Sequence, residues 1–219
     1  MTEITIPPNI TTIEKSAFKG CSSLTKVTLS SPLESIEDFA FDECSALLEI
    51  TIPSSVVNLG RVVFQGCKSL KKVAFEFPSS LKVISGSTFA LCSSLTEIKI
   101  PSSLTLIDKN AFTNCSSLKT VYIPPSVTEI SDGAFGNCTS LKKVSFSNNS
   151  ALTTIKDGAF KNCKSLIEIK IPQSVTSIGD KVFENCTSLT QILIPPSLTS
   201  FKEGDLPPNA KVEKILNDN

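Results

Sequence analysis

Histidine and tryptophan are absent from this 219-residue chain, and tyrosine and methionine occur once each. Without histidine there is no Ser-His-Asp or Cys-His arrangement and no ordinary imidazole base, so the commonest routes to nucleophilic and acid–base catalysis are closed. Nine glycines are too few and too scattered to form a phosphate-cradling loop, and Gly133 and Gly158 fall at one equivalent turn position. Net charge is lacking too, because 21 basic residues balance 21 acidic ones. A neutral chain has no overall field to draw in phosphate backbones or acidic lipid, which argues against nucleic acid and membrane surfaces as partners. No stretch approaches the roughly 18 consecutive apolar residues that span a bilayer, so no membrane insertion is expected. The opening Met-Thr-Glu-Ile-Thr-Ile-Pro-Pro has neither the basic nor the apolar region of an export signal, which taken literally predicts a cytoplasmic protein.

What is present is regularity. The eight cysteines, Cys21, Cys44, Cys67, Cys92, Cys115, Cys138, Cys163 and Cys186, follow one another at gaps of 23, 23, 25, 23, 23, 25 and 23 residues. A fixed period in this range is the signature of a stacked repeat array and decides how everything else is read. Three residues before each cysteine stands a phenylalanine, from Phe18 to Phe183, and three after it a leucine, from Leu24 to Leu189. An alternating apolar pair follows, such as Ile98 and Ile100 or Ile192 and Ile194, placing two side chains on one face of a strand and the residue between them on the other. Proline then ends the strand at Pro53, Pro101, Pro124, Pro172 and Pro195. A second apolar pair, three apart, completes the unit, as in Val127 and Ile130.

One such unit cannot bury its own apolar positions, whereas copies stacked in register fuse them into a continuous core and add their strands to a parallel sheet. The fold class is therefore an α/β repeat, mostly β. We expect about nine to ten short parallel strands in one sheet, with short helical turns or loops on the opposite side. In particular, Asp132 to Cys138 predicts a single helical turn. The chain reads as one solenoid over 1–219, with about nine repeats of 23 to 25 residues in 1–200 and a degenerate cap in 201–219. Two units are longer by two residues, at Phe77-Pro78-Ser79-Ser80 and at Asn148-Asn149-Ser150, and predict bulging loops. They recur 71 residues apart, which points to duplication of a triplet of units.

Units such as Leu95 to Ser117 (LTEIKIPSSLTLIDKNAFTNCSS) and Leu166 to Ser188 (LIEIKIPQSVTSIGDKVFENCTS) strongly resemble the BspA-like subclass of leucine-rich repeats. The combination of LxxIxIP, a VxxI pair and AFxxC at fixed spacing covers roughly residues 1 to 200. The resemblance implies a curved leucine-rich-repeat solenoid with a parallel sheet along its concave side, found in surface antigens and adhesins of bacteria and parasitic protists. It brings no catalytic residues, and it places the protein at a cell surface, binding a protein of a host or of its own kind.

The cysteines do not fit a metal site, because zinc ligands converge in pairs two to four residues apart and every gap here is at least 23. Nor does a ladder suit disulfides: equivalent side chains in adjacent parallel strands lie about 5 Å apart at Cβ, and a bridge needs about 3.8 Å. Small, buried, reduced thiols are expected. Five sequons occur, at Asn9, Asn114, Asn137, Asn148 and Asn185. Asn114, Asn137 and Asn185 immediately precede ladder cysteines, where asparagine serves a turn, so Asn148 in its bulged loop is the one suited to glycan if the chain is exported. No catalytic residue, cofactor or metal is assigned, and the chain is read as no enzyme.

The outward strand positions carry the binding hypothesis. One column runs Glu3, Lys26, Glu49, Lys72, Glu97, Thr120, Lys143, Glu168 and Gln191, with signs alternating over five strands. Opposite charges side by side across strands contribute about 0.2–1 kcal/mol per pair and need no ligand. The next column, Thr5, Thr28, Thr51, Ala74, Lys99, Tyr122, Ser145, Lys170 and Leu193, is small for four strands and then bulky and mixed. A contact patch is expected at Tyr122 with Lys99, Lys143, Lys170 and Leu193, since aromatic and long basic side chains dominate interface energetics. Drift on an unselected surface produces the same pattern. The favoured function is a non-catalytic protein-binding module of the surface antigen or adhesin type, and the alternative is an intracellular scaffold. After Phe201 the pattern decays: Leu206 takes the Phe place and Val212 the Leu place, and Ile215 begins a tenth strand. At the other end, the strand Glu3-Ile4-Thr5-Ile6 offers an uncovered edge, which predicts either further residues upstream or pairing with a second copy as a homodimer.

Overall fold

The computed structural model describes residues 1–30, 32–198 and 206–215. In chain order its strands are β1 (Glu3–Thr5), β2 (Thr12–Ile13), β3 (Lys26–Thr28), β4 (Ser35–Ile36), β5 (Glu49–Ile52), β6 (Asn58–Leu59), β7 (Lys72–Phe75), β8 (Val83–Ile84), β9 (Glu97–Lys99), β10 (Leu106–Ile107), β11 (Thr120–Ile123), β12 (Glu129–Ile130), β13 (Lys143–Phe146), β14 (Thr154–Ile155), β15 (Glu168–Lys170), β16 (Ser177–Ile178), β17 (Gln191–Ile194) and β18 (Lys211–Lys214). The odd-numbered strands and β18 form one ten-stranded sheet in chain order. Every pairing is parallel and joins equivalent residues of adjacent coils, as in Ile4↔Val27 and Ile169↔Ile192. The second apolar pair forms short strands of its own, β2-β4-β6 and β8-β10-β12-β14-β16, making two narrower sheets.

The core is the expected set of columns. The leucines from Leu24 to Leu189 are fully buried, and so are the phenylalanines of the interior coils. Phe18, Phe41, Phe64, Phe89, Phe112, Phe135, Phe160 and Phe183 stack in one row, with centroids between 5.1 and 6.0 Å apart and planes within 11° of parallel. That is the spacing at which offset aromatic pairs attract. All eight cysteines are free thiols, and all but Cys21 are buried. Each interior thiol donates to the carbonyl of the phenylalanine one coil back, as Cys115 does to Phe89 at 3.2 Å and Cys186 to Phe160 at 3.1 Å. The prolines that end the strands accept an amide three residues on, for example from Val127 to Pro124. The serine that follows two positions later reaches back one coil, as Ser126 does to the Leu104 carbonyl.

The convex side departs from one expectation. Asp132 to Cys138 is a run of tight turns with no helical turn, and the described residues contain no helix. Gly133 and Asn137 both adopt left-handed backbone, at φ 60° and 58°, which a right-handed helical turn cannot contain. The amides of Gly133, Phe135 and Asn137 donate forward to Asp157, Ala159 and Lys161 of the next coil, while Ala134 and Gly136 bond locally. Alternate amides are thus spent on the neighbouring coil, and no residue is left to close a helix. The other interior coils repeat the arrangement, as Asn110, Phe112 and Asn114 do toward Asp132, Ala134 and Gly136.

The C-terminal end needs a second correction. The tenth strand is Lys211–Lys214, beginning four residues before Ile215, and its register sets Val212 opposite Ile192. Val212 therefore fills a strand position and not the Leu place. The last coil has contracted to a step of 20 residues between those two positions, so extending the 23-residue period overshoots. Leu206 and Val212 lie half-buried against the end of the core, while Phe201 is outside the described residues.

Candidate functional site: the concave face

The strand alternation that buries Ile98 or Val121 turns the intervening side chains to the concave surface, where Lys72, Glu97, Lys99, Thr120, Tyr122, Lys143, Glu168 and Lys170 are exposed. The charged column is in register as read: Glu3↔Lys26, Lys26↔Glu49, Glu49↔Lys72 and Lys72↔Glu97 are directly paired. Among the described residues, however, none of these charges is in an ion pair closer than 4 Å; such pairs form elsewhere, between Lys19 and Asp42 and between Lys161 and Glu184. The column lowers like-charge repulsion without locking side chains together, so its members remain available to a partner.

The sheet surface is not uniform. Strands β5 and β7 pair over four residues, and so do β11 and β13. On the far side of each longer unit the ladder shortens, to two pairs between β7 and β9 and one, Lys143↔Glu168, between β13 and β15. The same shortening occurs between β3 and β5, where only Lys26↔Glu49 pairs. Beside the longer units, the strand ends at Phe75 and at Phe146 have no partner in the following coil. A depression of about 450 Å³ opens at the first place and one of about 650 Å³ at the second. The second extends under the loop that carries Ser147, Asn148 and Ser150.

These two hollows divide the expected contact patch. Lys99 and Tyr122 are register partners and line the first, while Lys143, Lys170 and Leu193 line the second. Lys143 belongs to the other outward column, paired with Thr120 and Glu168. The linings correspond residue by residue at the 71-residue spacing: Lys72 with Lys143, Phe75 with Phe146, Glu97 with Glu168, Ile98 with Ile169, Lys99 with Lys170 and Tyr122 with Leu193. Phe75 and Phe146 were not among the expected site residues. Their signal was present, since the fourth strand position is isoleucine in Ile52, Ile123 and Ile194 and becomes phenylalanine only in the two longer units.

The convex ladders have no comparable chemistry. Burial pushes the Cys44 and Cys186 thiols up to about 12 and holds Cys67, Cys92, Cys115, Cys138 and Cys163 above their ordinary range as well, with neighbouring thiols adding to the effect along much of the row. Protonated, water-excluded thiols are neither nucleophiles nor metal ligands. Among the described residues no group of three or more acidic or cysteine side chains is placed to hold a metal ion. Asn114, Asn137 and Asn185 serve turns, each in left-handed backbone. Asn162 joins the last two in a ladder, its amide donating to the Asn137 carbonyl oxygen at 2.7 Å and accepting from Asn185 at 2.9 Å. Asn148 is exposed at the rim of the larger hollow.

Coils that each add one strand to a common parallel sheet, stacked over leucine, phenylalanine and cysteine columns, define a leucine-rich-repeat solenoid. The chain belongs to the BspA type leucine rich repeat region family, which matches as six copies over residues 1–119, 74–188 and 106–215. Among solved structures it is similar to the T. pallidum leucine rich repeat protein, at 30% identity over 86% of this chain and 78% of that one, with a TM-score of 0.67. It is also similar to a leucine rich cell surface protein from Faecalibacterium prausnitzii A2-165, at 29% identity over 97% of this chain and 58% of that one, with a TM-score of 0.60. A leucine-rich repeat protein from Eubacterium ventriosum gives 27% identity over 93% of this chain and 45% of that one, with a TM-score of 0.58. The chain thus spans about half the length of the latter two proteins. No curated protein matches it. Repeat proteins of this kind generally mediate protein interactions, and this chain has the architecture to do so.

Proposed function

We propose that the chain is a non-catalytic protein-binding module of the surface antigen or adhesin type, which engages its partner with the concave face. The observation that carries this reading is the pair of hollows in the sheet, where exposed Lys99 and Tyr122 in one and exposed Lys143 and Lys170 with half-buried Leu193 in the other stand beside apolar lining residues. A concave surface with one exposed aromatic anchor and flexible cations around it offers the mix of apolar area and charge that concentrates interface energy. The likeness to a cell surface protein of similar fold supports the location.

A partner captured on the immobilised solenoid and then identified provides the test. Lys99→Ala combined with Tyr122→Ala is expected to abolish its capture, and undiminished binding rejects the concave face as the contact surface. Protease treatment of intact cells is expected to release fragments of the chain. Cleavage only after lysis selects the second reading, an intracellular scaffold.

A further inference from the structure

Resting on the reading of the concave face as the contact surface, we infer that the two hollows are tandem copies of one subsite and that together they take an extended acidic peptide bearing two like elements about four residues apart. The argument begins with their identity. Each hollow is lined by two lysines next to one glutamate, Lys72 or Lys143 as its cross-strand partner and Lys99 or Lys170 two residues on along its own strand, and by one phenylalanine. Each is capped by one large apolar side chain, Tyr122 or Leu193. One local excess of positive charge beside one apolar shelf is complementary to an acidic residue adjacent to an aliphatic one.

Surrounding charge strengthens the match. Lys71, Lys119 and Lys142 are exposed on the residues immediately before the strands, next to the charged column. The field over this part of the face is therefore basic although the whole chain is neutral, which draws in an acidic segment and disfavours a basic one.

Spacing then fixes the ligand's period. The hollows are three coils apart, and parallel strands lie about 4.8 Å from one another, so the two subsites are about 14 Å apart. A peptide running across the strands in extended form advances about 3.3–3.4 Å per residue, so the same side-chain pair returns to the second hollow after about four residues. Occupying one hollow brings the second element to high local concentration at the other, and affinity rises without any new kind of contact.

Three synthetic peptides on a serine–threonine background test this by fluorescence anisotropy: one with a single leucine–glutamate pair, one with two pairs four residues apart, and the latter with glutamine in place of glutamate. The two-pair peptide is expected to bind at least about tenfold more tightly than the single-pair one, and the glutamine version to lose most of that binding. Lys99→Ala with Tyr122→Ala, or Lys143→Ala with Lys170→Ala, is expected to reduce the two-pair peptide to the single-pair level. All four side chains are exposed, so both variants retain the fold, which circular dichroism checks. Equal affinity for one and two pairs, insensitivity to either variant, or preference for a polysulfated saccharide over every peptide overturns the proposal. If no peptide binds while the captured partner is still lost on Lys99→Ala with Tyr122→Ala, this inference fails and the concave-face reading stands. If neither responds, both fail.

Discussion

The first four complete coils and the last four solve the same backbone problem with different residues. Every one of these coils needs two left-handed residues on its convex side, four positions apart. In the first half these are Ser16, Gly20, Phe39, Glu43, Val62, Gly66, Ser87 and Leu91; in the second they are Asn110, Asn114, Gly133, Asn137, Gly158, Asn162, Lys181 and Asn185. Asparagine or glycine, the residues that enter this region at least cost, occupy seven of the second set and two of the first. For an ordinary side chain the conformation costs roughly 1–2 kcal/mol, and for β-branched Val62 it is a clear outlier. Phe39 is partly compensated, since the ammonium groups of Lys15 and Lys19 lie 5.8 and 5.1 Å from its ring centre. The geometry is therefore imposed by stacking, whatever residue is present, and the first half carries the larger strain. It is expected to open first.

Four experiments test or sharpen that contrast. The largest effect removes it, because alkali acts on both halves at once. Thiols whose folded pKa is raised from 9.0 to about 12, as at Cys44 and Cys186, hold their protons more tightly when folded than when unfolded. The stability this supplies is complete below pH 9 and drains as pH rises toward 12, at about 1.4 kcal/mol per buried thiol per pH unit. Urea midpoints measured from pH 8 to 11 should be level at first and then fall steeply, with a shallower fall in a Cys115→Ala variant. A flat profile would show that water reaches the thiols.

Next is Phe112→Ala, which removes a fully buried ring stacked on both sides at the junction of the halves. It should cost about 3–5 kcal/mol and, because each coil touches only its neighbours, split one unfolding transition into two. Hydrogen exchange should then show the first half opening ahead of the second; simultaneous opening contradicts the contrast. Asn162→Ala strikes the better-suited half, where it adds left-handed strain and breaks both rungs of the asparagine ladder. About 2–3 kcal/mol should be lost from the thermal or urea transition. The smallest change has the opposite sign: Val62→Asn, at a half-buried position in the first half, should stabilise by about 0.5–1 kcal/mol. Destabilisation there would mean that the burial of the valine side chain outweighs its backbone cost.

The buried architecture could be read from residue types because it is written in columns. Leu95, Cys92, Phe89 and the Ile98/Ile100 pair recur at positions that only stacking can bury, and parallel register follows once equivalent residues coincide. The convex backbone was less legible, since Val62, Phe39 and Glu43 do not advertise left-handed conformation, and the sequence from Asp132 to Cys138 suits a helical turn until its amides are claimed by the next coil. The strand Lys211–Lys214 was misplaced because its coil abandons the period that located all the others. On the concave face, the exposure of Lys99 and Tyr122 followed from alternation. Their separation from Lys143, Lys170 and Leu193 did not, because it depends on where the ladder shortens.

The 71-residue correspondence makes this a molecule whose length can be edited. Excising residues 74–144 would splice Val73 onto Ser145, so that each severed coil meets the neighbour its own equivalent already had, and Lys-Val-Ser-Phe would stand where Lys-Val-Ala-Phe stood. The shortened chain would keep a single hollow, and a chain with one further copy of the block would gain a third. Reach across a target thus becomes a quantity counted in whole cassettes, adjustable by recombination without redesigning a single contact.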